Sequence, residues 1–172
     1  MSEIRDTQRY VEQLSKAEFF RDFEPPEFEE LLQVCERKSL APRESLWAVG
    51  SPKDAAYILV EGRVEQTRRL PPDGQRVEQI DRPGSLLSLS SLVKEWKHQS
   101  SATALERTEL LRLEREDFRR LFDDEQIAAY RLVDELAEQL VAEMRDANRR
   151  LHEVFGSPAE TLRTLRRRVR QS

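Results

Sequence analysis

The spacing of hydrophobic residues changes twice along the chain. Near the N-terminus, hydrophobic or methyl-bearing side chains recur every three or four residues, at Ile4, Thr7, Val11 and Leu14. This spacing predicts a short amphipathic helix. A second stripe follows two prolines and consists of Phe28, Leu31, Leu32 and Cys35. Because prolines are typical of a helix start, we expect two helices before residue 40.

From residue 40 to residue 113, short apolar runs replace the helical spacing. The runs cover residues 46–49, 55–60, 62–67, 77–80, 102–105 and 110–113. Turn signals such as Asp73-Gly74 separate them, and Asp-Gly readily adopts the positive φ of a tight turn. No helical stretch that could connect parallel strands lies between them. The pattern therefore predicts an α+β fold, mainly β, built on an antiparallel β jelly-roll barrel.

The helical spacing returns after Glu114, with a short helix predicted over residues 115–122 and a long helix over residues 124–155. In the long helix, apolar residues alternate in steps of three and four, which defines a heptad seam. Its members are Tyr130, Val133, Ala137, Leu140, Met144, Ala147, Leu151 and Val154. So narrow a seam favours a parallel homodimer. The alternative is a helix that packs on its own barrel, with Leu132 and Leu136 widening the stripe.

These patterns divide the chain into four segments. Residues 1–18 form an N-terminal accessory helix, residues 19–123 the jelly-roll domain, residues 124–155 the long dimerisation helix, and residues 156–172 a basic C-terminal helix or tail. Gly156 indicates the end of the long helix, and Ser157-Pro158 the start of the last one.

Charge is unevenly distributed along the chain. The net charge is −4, yet residues 161–172 contain five arginines and no acidic residue, which leaves −9 for the rest. The arginines are Arg163, Arg166, Arg167, Arg168 and Arg170. An acidic body excludes a broad nucleic-acid footprint, so only this tail could bind nucleic acid. The alternative is a solvated terminus.

Other features exclude several classes of function. No apolar run approaches the roughly 20 residues of a membrane span, and we expect no membrane partner. The N-terminus resembles no signal peptide, and the single cysteine, Cys35, fits a reducing compartment, so we expect a cytoplasmic protein. His98 and His152 stand far apart from any other metal-ligand type. We therefore expect no enzyme, no catalytic residues and no metal.

Short motifs punctuate the strand region. They are Tyr-Ile-Leu-Val-Glu-Gly-Arg-Val at residues 57–64, Asp-Gly at 73–74, Pro-Gly at 83–84 and Ser-Ala-Thr-Ala at 101–104. Together with the order of helices and strands, they resemble the cyclic-nucleotide-binding domain of catabolite-activator-type regulators and kinase regulatory subunits. The resemblance covers residues 20–155. Members that bind DNA carry a further domain after the long helix, whereas 17 residues follow Phe155, so we do not expect sequence-specific DNA binding by this chain alone.

The resemblance implies a phosphate-binding cassette after the Pro-Gly turn. In the family, a Gly-Glu pair, a short helix and an arginine before the Ser/Thr-Ala strand hold the cyclic phosphate and the ribose hydroxyl. Matched to this chain, the Gly-Glu pair falls on Ser88 and Leu89, and the arginine on Ser100, or on Gln99 if the register shifts by one. The altered cassette comprises Gly84, Ser88, Leu89, Ser90, Ser91, Ser100 and Ser101.

The substitutions predict weak binding. A leucine cannot accept a hydrogen bond, and a serine cannot neutralise a phosphate. Loss of two charge-assisted contacts costs about 3–6 kcal/mol, or about two to four decades of affinity. We therefore expect no cofactor, with a cyclic nucleotide possible but disfavoured. Lys94, Lys97 or His98 could compensate. Otherwise, the serines cap a turn and leucines fill the pocket, namely Leu86, Leu87, Leu89 and Leu92.

The expected function is that of a non-catalytic regulatory or scaffolding module, a homodimer that acts through an unidentified protein partner. The first alternative is a divergent cyclic-nucleotide sensor. The second is a nucleic-acid-associated adaptor that uses the arginine-rich tail.

Overall fold

The computed structural model describes residues 2–70, 74–156 and 162–163. The helices are α1 (Ser2–Leu14), α2 (Pro25–Val34), α3 (Arg115–Asp123) and α4 (Ile127–Phe155), with a 3-10 helix at Leu89–Leu92. The strands are β1 (Glu36–Leu40), β2 (Ser45–Trp47), β3 (Pro52–Lys53), β4 (Ala55–Glu61), β5 (Val64–Leu70), β6 (Gly74–Ile80), β7 (Leu86–Leu87), β8 (Trp96–Lys97), β9 (Ser100–Ala104) and β10 (Thr108–Glu114). The predicted α+β fold with antiparallel strands and a long C-terminal helix is confirmed.

Two four-stranded antiparallel sheets enclose the core of the β domain. One has the order β1-β10-β4-β7 and the other β2-β9-β5-β6, while β3 and β8 form a separate two-stranded ribbon. Side chains from both sheets fill the space between them, among them Leu59, Val64 and Leu110, all fully buried. Burial of this apolar surface is the main source of stability for the domain.

Residues 55–60 of β4 form an unbroken apolar run because both faces of this strand are covered. Residues 55–60 are all buried, although alternate side chains of a strand point to opposite faces. One face lies in the core, where Tyr57 and Leu59 belong to the central cluster, and α1 contacts this strand. A strand covered on both faces has no polar positions.

A cluster of phenylalanines joins the N-terminal helices to the start of α4. The rings of Phe20 and Phe28 stack with their centroids 5.4 Å apart, and Phe23 lies 5.0 Å from Phe20. The guanidinium of Arg131 lies 5.0 Å from the Phe23 ring and pairs with Glu27 at 3.2 Å. The N-terminal part of α4 is thereby fixed to α2 through the Arg131–Glu27 ion pair.

A part-buried ion pair holds α1 against β10. Glu109 accepts hydrogen bonds from Arg9 and from the Tyr10 hydroxyl, the latter at 2.7 Å, and Arg37 pairs with the same carboxylate at 3.2 Å. Burial alone would raise the pKa of Glu109, but the bonds from Arg9 and Tyr10 outweigh it and hold that pKa below its usual range. Glu109 is therefore the anchor of α1 at neutral pH.

Several predicted bounds differ from those of the structure: β5 spans Val64–Leu70 rather than 62–67, and β6 spans Gly74–Ile80 rather than 77–80. Two further differences have a clear physical reason. β1 was not predicted, because its sequence Glu-Arg-Lys-Ser-Leu is polar, and it pairs with β10 as an edge strand of its sheet. α4 begins at Ile127, three residues after the predicted start. Glu125 adopts φ 55°, in the left-handed region, and this residue separates α3 from α4.

Internal contacts divide the chain into two compact units, Met1–Val133 and Asp134–Ser172. In the second unit, α4 carries a row of exposed apolar side chains. Leu140 is 46% exposed, Met144 65% and Leu151 55%. The predicted segment boundaries at residues 18, 123 and 155 remain a prediction.

Candidate ligand cassette

The Pro-Gly turn that opens the cassette is fixed from two sides. Gly84 has φ +82°, and a Cβ atom there would lie 2.2 Å from the Cβ of Ala17. Its N–H donates to the carbonyl of Leu59 at 2.7 Å. Only glycine satisfies both the positive φ and the close contact, so the segment after residue 84 starts from a defined point.

The position that matches the ribose-binding glutamate is part of the hydrophobic core. Leu89, the first residue of the 3-10 helix, is 1% exposed, and Leu87 and Leu92 are each 3% exposed. Leu86 is half-buried. An ionised carboxylate at this position would lose its hydration without a partner, which is costly.

The serines of the cassette have different environments. Ser88 precedes the 3-10 helix in a left-handed conformation, φ 60°, and its side chain makes no capping hydrogen bond, contrary to the expected capping role. Ser90 accepts a hydrogen bond from Lys53 Nζ at 3.1 Å. Ser91 is fully buried, and among the described residues neither its hydroxyl nor that of Ser88 has a hydrogen-bond partner.

The position that matches the phosphate-binding arginine is occupied by a short polar network. Ser100 is buried, and its hydroxyl accepts a hydrogen bond from Gln66 Nε2 at 2.7 Å. Next to it, Gln99 Oε1 accepts from Arg68 Nη2 at 2.8 Å. Ser101 is half-buried and pairs with Thr67 on β5. A guanidinium therefore reaches this part of the cassette from β5 rather than from the cassette itself.

Arg115 is the functional candidate that the sequence prediction missed. Its side chain donates to the carbonyls of Ser91 at 2.6 Å and Lys94 at 3.2 Å, and also to the carbonyl of Lys53. It thus joins the first turn of α3 to the 3-10 helix and to β3. The sequence does contain one indication of this role. Arg115 lies in the first turn of a predicted helix, where a cation is unfavourable unless another contact stabilises it.

The three groups proposed to compensate for the lost charges lie in different settings. His98 is 5% exposed, and its ring stacks on Trp47 with centroids 4.5 Å apart. Burial, together with the charge of Lys53, lowers the pKa of His98 to about 4. The imidazole is therefore neutral at pH 7 and offers no charge to an anion. Lys94 lies over the Trp96 ring at 5.1 Å, and Lys97 is exposed.

Acidification is expected to destabilise the protein through His98. The pKa of His98 falls from 6.5 to about 4 on folding, so between these values the unfolded state binds a proton that the folded state does not. The contribution of neutral His98 to the free energy of unfolding is fully present above pH 6.5. It falls by about 2–3 kcal/mol between pH 6.5 and pH 4. Denaturant titrations across this range measure it. In the His98→Phe variant, which retains an aromatic ring, this part of the decline should be absent. An equal decline in both proteins would contradict the assignment.

The predicted dimer seam lies on α4. Tyr130, Leu140, Met144 and Leu151 expose 44–65% of their surface, and Val133 exposes 36%. Ala137 and Ala147 belong to the same helix, and the side chain of Val154 lies outside the described residues. The prediction of a homodimer is untested by these features.

Of the basic tail, only Arg163 falls within the described residues, where it is helical and exposed. The others, Arg166, Arg167, Arg168 and Arg170, lie outside them, and their proposed contact with nucleic acid remains a prediction. In the described part of the chain, no group of three His, Cys, Asp or Glu side chains is placed to hold a metal ion. None of the described helices has the length and apolar character needed to cross a membrane.

The two antiparallel sheets, the 3-10 helix after the Pro-Gly turn and the long C-terminal helix together define an α+β class of fold. The family model described as "Cyclic nucleotide-binding domain" matches residues 37–125. This chain belongs to the cyclic nucleotide-binding domain family.

Relatives of known identity agree with this assignment. The chain is 30% identical over 121 residues to the cyclic AMP receptor protein of Thermus thermophilus, covering 70% of this chain and 56% of that protein. The crystal structure of the Thermus thermophilus catabolite activator protein matches with a TM-score of 0.68 and 28% identity, over 80% of this chain and 63% of the other. The N-terminal domain of a transcriptional regulator from Streptomyces coelicolor matches with a TM-score of 0.64 and 25% identity, over 78% and 93% of the two chains.

Proposed function

We propose that this chain is a non-catalytic regulatory module whose cassette keeps its conformation without a cyclic nucleotide, and which acts as a homodimer through protein partners. The observation that carries the proposal is the state of the two anchor positions. Leu89 is packed in the core, and Ser100 is already hydrogen-bonded to Gln66. Neither can supply a charge to a ribose or a phosphate.

Contacts within the chain provide an alternative to ligand contacts. Arg115 donates to the carbonyl of Ser91 within the 3-10 helix and to that of Lys94 just after it, and Lys53 donates to Ser90. Hydrogen bonds from charged donors each contribute about 1.5–3 kcal/mol. These bonds support a cassette that is ordered in the absence of ligand, and the single cysteine supports a reducing compartment such as the cytoplasm.

Hydrogen exchange with and without cyclic AMP tests the proposal. We expect the amides of residues 86–101 to exchange at the same rates at zero and at about 10 μM cyclic AMP, because a ligand far below its dissociation constant does not stabilise the folded state. Slower exchange in this segment on addition of the nucleotide would contradict the proposal.

Arg68 favours a second candidate, a sensor with a divergent site. Its guanidinium contacts Gln99, beside the position of the family's arginine, and could neutralise a phosphate from β5. This function predicts nucleotide-dependent protection of residues 86–101 that disappears in Arg68→Ala. Arg69→Ala is the matched control, since successive residues of a strand point to opposite faces.

A further inference from the structure

In the described part of the chain, the last strand of the second sheet has a neighbouring strand on one side only. β6 pairs with β5 on one side and ends the order β2-β9-β5-β6. Residues 74–79 are all exposed, and Val77 exposes 51% of its surface. A strand in this position directs alternate N–H and C=O groups towards solvent, where another strand can pair with them.

The sequence of β6 is complementary to itself in the antiparallel direction. A two-fold axis through Val77 places Val77 opposite Val77 of a second copy. The same axis sets Arg76 opposite Glu78 of the second copy, and Glu78 opposite its Arg76. Gln75 then faces Gln79 of the second copy. Opposite charges in directly facing positions stabilise an antiparallel strand pair.

Charge selects this register over its neighbours. A two-fold axis perpendicular to the sheet leaves each side chain on its own face. Facing residues must also point to the same face, whereas successive residues of one strand point to opposite faces. The axis must therefore pass through a residue and not between two residues. An axis through Arg76 would set two arginines opposite each other, and an axis through Glu78 two glutamates. Like charges in facing positions are destabilising, so among the three central residues of β6 only Val77 can serve as the centre.

The neighbouring strand adds a second reason. In the β5–β6 register, Arg68 lies directly opposite Arg76, so two cations occupy facing positions on one side of the sheet. Glu78 of the same strand lies 3.9 Å from Arg76. Glu78 of the second copy would place another carboxylate beside Arg76, on the side away from Arg68. Pairing therefore reduces a repulsion that is present in the single chain.

We propose that β6 is an interface for a second copy of this chain, in which the two β6 strands pair antiparallel about Val77 and join the two sheets into one. The charged residues that usually protect a sheet edge here form pairs instead. The interface is small, and association through it is weak and depends on concentration. It does not require the heptad seam on α4.

A charge-swap experiment in the full-length protein tests the proposal. All samples carry Leu140→Arg to disable the α4 seam, and sedimentation equilibrium measures the average mass. The protein that carries Leu140→Arg alone is expected to associate reversibly. Adding Arg76→Glu or Glu78→Arg is expected to weaken that association at least tenfold. An equal mixture of the two variants should restore it, because every facing pair then joins a glutamate to an arginine.

Arg69→Glu is the matched control. It changes the charge of the same hairpin by the same amount, but it lies on β5, on the face opposite to Arg68, and should leave association unchanged. The proposal is overturned if the protein that carries Leu140→Arg alone stays monomeric at the highest concentration. It is also overturned if Arg76→Glu and Glu78→Arg each weaken association and the mixture does not recover it. These outcomes bear on the β6 edge alone, since cyclic-nucleotide binding and the α4 seam are measured separately.

Discussion

Replacement of Leu140 with arginine is expected to convert the protein from a dimer to a monomer. Leu140 lies in the middle of the seam and exposes 46% of its surface in the single chain. In a parallel pair of helices the two Leu140 side chains would face each other. Two arginines there would bury like charges without partners, at a cost of several kcal/mol. At low micromolar concentration, light scattering should give about twice 20.2 kDa for the parent protein and 20.2 kDa for the variant.

Ala142→Arg is the matched control for this prediction. Ala142 lies on the same helix two residues further on and is exposed, but its heptad position points away from the seam. The control should remain a dimer. A monomeric parent protein, or equal loss of the dimer in both variants, would contradict the assignment of the seam.

Replacement of Arg115 with alanine is expected to release the cassette. The side chain is 11% exposed, and its loss removes the donors to the carbonyls of Ser91 and Lys94. The contacts to the carbonyls of Ser91 and Lys53 are part-buried, whereas the contact to Lys94 is exposed. A buried acceptor left without a donor costs about 1–3 kcal/mol, so the free energy of unfolding should fall by about 2–4 kcal/mol. Hydrogen exchange over residues 89–97 should accelerate before the rest of the β domain is affected, because these contacts are local.

Arg119→Ala separates this effect from a general loss of charge on α3. Arg119 is exposed, and its removal should change neither the free energy of unfolding nor the exchange of residues 89–97. If Arg115→Ala accelerates exchange evenly throughout the β domain, Arg115 stabilises the fold as a whole and does not hold the cassette in particular.

The spacing of hydrophobic residues predicted the helices and strands that are buried on one face or on both faces. β4 is apolar throughout because both faces are covered, and α4 shows heptad spacing along most of its length. β1 could not be predicted in this way, because it is polar and depends on backbone pairing with β10. The start of α4 depends on the left-handed conformation of Glu125, and a glutamate gives no signal for that conformation.

The candidate site was only partly accessible from the sequence. Matching to the family's motif predicts Leu89 and Ser100, or Gln99 if the register shifts by one, as the altered anchors, because their positions relative to the Pro-Gly turn are local. The residues that hydrogen-bond to the cassette are distant from it in the chain. Gln66 reaches Ser100 across 34 residues, and Arg115 reaches Ser91 across 24. Such contacts follow from strand register and from the packing of α3, and neither leaves a periodic pattern in the sequence.

Isothermal titration calorimetry with cyclic AMP, cyclic GMP and cyclic dinucleotides tests the central claim most directly. The claim is that the cassette lacks the charges needed to bind a cyclic nucleotide tightly, since Leu89 is packed in the core and Ser100 is paired with Gln66. We expect no saturable heat with any of these ligands up to about 1 mM, the range to which loss of two charged contacts would move a micromolar affinity. A dissociation constant below about 10 μM for any of them would contradict the claim.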